Sequence, residues 1–307
     1  MNDGFVYREV IGPRGVGREV VNYLSGRYRH SSVAQWREHL AAGRVIIAGT
    51  PAAEGDRLRV GDQLEWHRPA WTEPAAPLEL PVLYAERGML VVDKPSGLPT
   101  MPGGGFLQNT LLHQLRLSYP DASPMHRLGR WTSGAVVCSL NSVAGASLAA
   151  QFAARDVGKR YRALASGTIV GNRRVIDVAI GPVPYPPLGT LHAADDGGRA
   201  SSSTVTVLER RSDSTLCDVV IATGRPHQIR IHLAWAGHPL VGDPLYAVGG
   251  LPAEGGTALP GDPGYHLHAA EIAFAHAEGD AVVVKSPVPP ILGVSGEQPS
   301  GWSLSPP

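Results

Sequence analysis

The chain reads as an α+β protein, with a small two-helix domain followed by a larger one built on a mixed, mainly antiparallel sheet. Three observations predict this. From about Val82 to Ile291 the sequence is a succession of short apolar, strand-like runs with few helices, parted by Gly- and Pro-rich turns. Strands and helices nowhere alternate in the regular βαβ succession that builds a parallel sheet. Residues 69–80, with Pro69, Pro74, Pro77 and the adjoining Pro81, read as a stiff, extended linker between two bodies.

The first body is expected over 14–68. Val20, Val21 and Leu24 share one helical face. Ser31 or Ser32 can cap a second helix carrying Val33, Trp36 and Leu40, which Gly43 ends. Gly43–Gly49 then alternates into a turn, and Gly61–Trp66 closes with another strand. Arginines 27, 29, 37, 44, 57 and 59 could line a phosphate-facing side, with Arg37 and Arg44 foremost.

The second body is expected over 81–292. Thr132-Ser133-Gly134 turns tightly into the apolar strand Ala135–Cys138. In the strand from Gly158, Tyr161, Ala163 and Ala165 point one way and Arg160 and Arg162 the other. Pro226 and Gly237 bracket a helix on which His227, Arg230, Ile231 and Ala234 share a face. Residues 293–307 lack core-forming periodicity and are expected to be disordered.

Composition narrows the function. With 307 residues and 43% apolar content the chain can bury a sizeable core. Net charge is zero, so nucleic-acid affinity must come from local patches. Only three of the 27 basic residues are lysines, Lys94, Lys159 and Lys285. The bland cause is codon bias; the functional one is that guanidinium suits phosphate forks and base stacking. Cys138 and Cys217 sit in apolar runs without CxxC spacing, which points to reduced core thiols. No signal-peptide succession and no membrane-length apolar run occur, so a soluble cytoplasmic protein is expected. His266 with His268, and His227 with His232, lack partners at ligand spacing, so no metal site is expected. No GxSxG elbow suggests a serine hydrolase.

Two separated segments carry most of the functional information: His126-Arg127-Leu128-Gly129-Arg130-Trp131-Thr132-Ser133-Gly134 and Thr223-Gly224-Arg225-Pro226-His227-Gln228-Ile229-Arg230-Ile231-His232-Leu233. Val91–Pro99, Gly158–Ala163, Gly237–Tyr246 and Leu267-His268-Ala269 accompany them in order. Together these motifs resemble the RluA-type RNA pseudouridine synthases. The resemblance implies the pseudouridine-synthase fold, RNA as partner, a monomer and a reaction that needs no cofactor. The first body looks like an S4-type RNA-binding module, by pattern and without a hard motif.

The reaction detaches uracil from C1′ of its ribose, turns the base and rejoins it through C5. It needs a carboxylate, attacking C1′ or removing a ribose proton, and a cation to hold that carboxylate in place. In the family the carboxylate follows His-Arg-Leu; here that residue is Gly129. By resemblance Tyr161 lies under the target uracil, where stacking is worth about 1–3 kcal/mol. Arg230 is the carboxylate's partner, and Arg127 helps hold the extruded nucleotide. Lys94, Arg225 and His227 are expected as further RNA contacts. Without a partner at 129, Arg230 should find another anion, ordered water, an open site or RNA phosphate.

Two readings follow. In one, the protein is a synthase of ribosomal or transfer RNA that recruits a carboxylate from elsewhere, with Asp121, Asp156 and Asp243 as candidates and Asp243 more suited to structure. In the other, it is an RNA-binding protein that kept the cleft and lost the chemistry, serving RNA folding or ribosome assembly.

Overall fold

The computed structural model describes residues 1–28, 31–276 and 279–296. The chain divides into two compact units, Met1–Glu73 and Pro74–Pro307.

In the first unit the chain runs β1 (Phe5–Val10), α1 (Val20–Arg27), α2 (Val33–Ala41), β2 (Val45–Ile47), β3 (Thr50–Pro51) and β4 (Gln63–Arg68). The sheet order is β1-β4-β2-β3, with every pairing antiparallel. Ser32 is the cap that forms: its hydroxyl accepts from the Gln35 amide, and the Gln35 side chain accepts from the Ser32 amide. Val20, Val21 and Leu24 from α1 and Trp36 and Leu40 from α2 are buried against Val45, Leu64 and Trp66 of the sheet. Val33, expected on the same face, is 39% exposed.

The expected boundaries shift. Residues 5–10 pair in full with β4, so the unit starts well before residue 14. Its first strand was illegible because Phe5–Val10 is an edge strand with a mostly exposed face and little apolar alternation. Residues 69–73 belong to this unit too. The Asn2 amide N–H bonds the Trp71 carbonyl, and the Asn2 side chain bonds Glu73. The Pro-rich stretch is therefore no free spacer, and its second half is tied into the larger unit, where the Pro74 carbonyl accepts from the Asn109 side chain.

The second unit contains β5 (Val82–Glu86), β6 (Met89–Lys94), α3 (Leu111–Ser118), β7 (Ser123–Pro124), β8 (Ser133–Ser139), α4 (Ser142–Ala154), β9 (Gly158–Ser166) and β10 (Arg173–Asp177). It continues with β11 (Ile180–Tyr185), β12 (Gly189–Ala194), β13 (Ser202–Arg210), β14 (Ser214–Ile221), α5 (Gln228–Trp235), β15 (Leu267–Ala275) and β16 (Ala281–Lys285). The large sheet runs β10-β13-β14-β9-β15-β8-β6-β5, with β16 on β15 and β7 on β8. Its described pairings are antiparallel except that of β15 with β8, so the sheet is mixed and mainly antiparallel as the sequence predicts.

Strand β6 is apolar on both faces because both are covered. Leu90 and Val92 pack with Leu111 and Leu115 of α3, while Met89 and Val91 pack with Ala144 and Leu148 of α4. Tyr161 and Ala163 share the α3 face with Ile229 and Leu233 of α5, which sets α5 beside the tyrosine. Gly134 makes the parallel join possible. Its φ is +110°, and a Cβ there would collide with the Ala269 carbonyl.

Cys138 and Cys217 are buried free thiols, pushed up to about 12 by burial. Among the described residues no helix is long and apolar enough to cross a membrane. The expected tail falls mostly on 297–307, outside the described residues. Its described start is held, since the Gly293 carbonyl accepts from Arg211 and the Ser295 amide and hydroxyl bond Glu209.

Candidate active site

The two segments singled out in the sequence meet in one cleft on the second unit. Arg127, Gly129, Tyr161, His227, Arg230 and Tyr265 line it. Its volume is about 110 Å³.

Tyr161 is buried in the centre of the sheet, opposite Val219 on β14 and Ala269 on β15. The β9–β15 register shifts between Ala269 and Glu271, so the strand bulges beside the tyrosine. Burial pushes the Tyr161 hydroxyl up to about 12, which keeps the ring neutral at physiological pH.

The His126–Trp131 segment is held by β6 and the loop after it. The Gly97 amide bonds the Arg130 carbonyl, Arg130 Nε bonds the Gly97 carbonyl, and the Thr100 hydroxyl joins both the carbonyl and the amide of Leu128. Lys94 lies at the centre of this join. It is fully buried, and Nζ donates to the carbonyls of Pro95, Leu98 and Arg130 at 2.9, 2.7 and 3.1 Å. The expectation that Lys94 contacts RNA is therefore corrected. Its three donors are spent on backbone, and burial draws its pKa down to about 7.

The loop before α5 is organised by buried Gln228, which the sequence reading passed over. Its Oε1 accepts from the Thr223 hydroxyl and the Arg225 amide, and its Nε2 donates to Ser202 and Ser203. His227 then takes a left-handed conformation, φ 55°, at the start of α5. Its Nδ1 lies 2.7 Å from the Tyr246 hydroxyl, which donates its own proton to the His192 carbonyl. The histidine must therefore donate from Nδ1 and carry its lone pair on Nε2. Burial, then the Arg230 charge, lower its pKa to about 3. His227 thus lines the cleft as a neutral ring. His232, one turn on, is buried between Ser201 and Ser203 and belongs to the core.

Arg230 finds its anion in Asp243. Nε and Nη2 bond the two carboxylate oxygens, each at 2.7 Å, and both side chains are almost wholly buried. Burial works against the guanidinium, but the bond and charge of Asp243 outweigh it and raise its pKa. Asp243 Oδ1 also accepts from the amides of Leu245 and Tyr246. A carboxylate committed in this way holds the arginine and is absent from the cleft lining. Asp121 and Asp156, the other carboxylates considered, are exposed and do not line the cleft either.

Arg127 is exposed at the cleft, and Arg225 is half-buried with its guanidinium at 3.4 Å from the Ala200 carbonyl. Arg37 and Arg44 lie on the first unit. Arg37 is exposed and paired with Glu54 at 2.6 Å; Arg44 is half-buried. Arg29 lies outside the described residues.

His126 supports the segment from behind. Its Nε2 accepts the Val137 amide at 3.1 Å, which requires a neutral ring, and burial followed by the Lys159 charge lower its pKa to about 4. Because its folded pKa lies below the ordinary 6.5, the stability it contributes is full above pH 6.5 and is lost as pH falls towards 4. Between pH 7 and pH 5 the wild type should lose about 1–2 kcal/mol more than His126→Gln in urea titrations. Equal losses would contradict this.

Comparison with known proteins agrees with the site. The RNA pseudouridylate synthase family matches residues 88–235. An uncharacterized RNA pseudouridine synthase of Synechocystis is 39% identical over 276 residues, covering 89% of this chain and 95% of its own. RNA pseudouridine synthase 5 of Arabidopsis thaliana is 37% identical, with 95% of each chain covered. The structure of human RNA pseudouridylate synthase domain containing 1 superposes with a TM-score of 0.58 at 29% identity, over 72% of this chain and 89% of its own. The chain belongs to the RNA pseudouridylate synthase family.

Proposed function

We infer that this protein is an RNA pseudouridine synthase that isomerises uridine to pseudouridine in structured ribosomal or transfer RNA, acting as a cytoplasmic monomer. The observation that carries the reading is a single cleft in which Tyr161, Arg127 and Arg230 converge from three separate motifs. A flipped uracil stacks on Tyr161, Arg127 at the rim takes the phosphate or the vacated stack, and Arg230 presents fixed positive charge to the glycosidic bond. Gly129 stands where the family carries its catalytic aspartate. The first unit, read as an S4-like module, supplies basic contacts through residues such as Arg44.

The reading as a binding protein with a retired site is the weaker one, since the relatives across nearly the whole chain carry the name of synthases. Pseudouridine mapping in RNA from a strain lacking the chain tests the proposal, which expects one or a few sites to disappear.

A further inference from the structure

Position 129 is not an empty place. A Cβ built on Gly129 would lie 2.9 Å from the Tyr265 hydroxyl and 3.5 Å from the Thr132 hydroxyl. Gly129 has no left-handed φ, so the backbone itself would admit another residue. Tyr265 Oη fills the volume that a side chain at 129 would enter. It lies 3.3 Å from Thr132 Oγ1, the Arg230 guanidinium sits 4.2 Å from its ring centroid, and the ring lines the same cleft as Tyr161. Arg230, pinned by Asp243, therefore presents its charge to a phenol where the family would present it to a carboxylate.

We propose that Tyr265 is the catalytic group of this site, its phenol oxygen taking the part of the carboxylate missing at Gly129. The proposal rests on the synthase reading. In the first step Tyr265 Oη bonds to C1′ of the flipped uridine as the C1′–N1 bond breaks, and the phenolic proton passes to N1 of the released uracil. After the base turns over Tyr161, C5 attacks C1′ and the C1′–O bond breaks. The returning phenolate takes the proton from C5, which restores the C5=C6 double bond. Every proton and electron pair is returned, and no oxidant, reductant or metal enters. Tyrosine attacks anomeric carbon in some glycoside hydrolases, so the chemistry is within reach of a phenol. The cation over the ring stabilises negative charge as it develops on the oxygen.

The test uses the full chain at saturating concentration on total RNA from a strain lacking it, so that the single-turnover rate reports chemistry and not binding. Tyr265→Phe keeps the ring under Arg230 and removes only the oxygen; its rate should fall roughly 10²- to 10⁴-fold with unchanged RNA affinity. Gly129→Asp added to Tyr265→Phe puts a carboxylate into the freed volume and should recover a substantial part of the rate. Full rate in Tyr265→Phe, or a lost rate that Gly129→Asp leaves lost, would overturn the proposal while the synthase reading stands. A wild type that converts no uridine would overturn both.

Discussion

Asp243→Asn should unfold the second unit at markedly lower denaturant than the wild type, with a loss of about 3–5 kcal/mol. The reason is the asymmetry of buried ion pairs. Arg230 and Asp243 are both almost fully withdrawn from water and share two 2.7 Å bonds. Removing the charge from one partner strands the other. Asp243 also gathers the Leu245 and Tyr246 amides through Oδ1, an acceptor that asparagine keeps, so the loss reports the missing charge and not the turn. Replacing the pair together, as Arg230→Met with Asp243→Asn, should recover part of the stability because no charge remains buried and asparagine still accepts from the Leu245 and Tyr246 amides. The double variant should nonetheless make no pseudouridine, since the cleft has lost its cation. Urea titration of the three proteins checks this, and wild-type stability in Asp243→Asn would contradict the geometry of the pair.

Tyr161→Leu should weaken RNA binding about 5- to 150-fold, the equivalent of the 1–3 kcal/mol that one stacked base contributes. Leucine fills part of the buried volume between Val219 and Ala269 but offers no flat face to a base. Tyr161→Phe keeps that face and should bind RNA like the wild type. The comparison separates the ring from the hydroxyl, because both variants lose the hydroxyl and only one loses the ring. Equal affinity in Tyr161→Leu and Tyr161→Phe would show that no base rests there.

Part of this site could be read from the chain because its motifs stand in the expected order, with Tyr161 on β9 and Arg230 on α5. Alternation along β9 set Tyr161 with Ala163 on the buried face, but the motif resemblance alone singled out Tyr161 and Arg230; α5 begins after His227 and is buried from Gln228 to Ala234, so the three- and four-residue spacing there marks no face. What escaped reading depends on contacts distant in sequence. Lys94 looked like a cleft-edge cation, yet three carbonyls, one of them 36 residues away, enclose it. Nothing in the spacing around Asp243 says that it, and not position 129, satisfies Arg230. Tyr265 stands two residues before the Leu267-His268-Ala269 motif in a loop without periodicity, so only folding reveals that its hydroxyl reaches the space beside Gly129. The first strand escaped for a local reason, since an exposed edge carries almost no apolar pattern.

The most direct test of the account is pseudouridine mapping of total RNA from a strain lacking this protein, complemented with the wild type or with Arg230→Ala. The account predicts that one or a few sites vanish in the deletion, return with the wild type and stay absent with Arg230→Ala. An unchanged pseudouridine map in the deletion strain would contradict it.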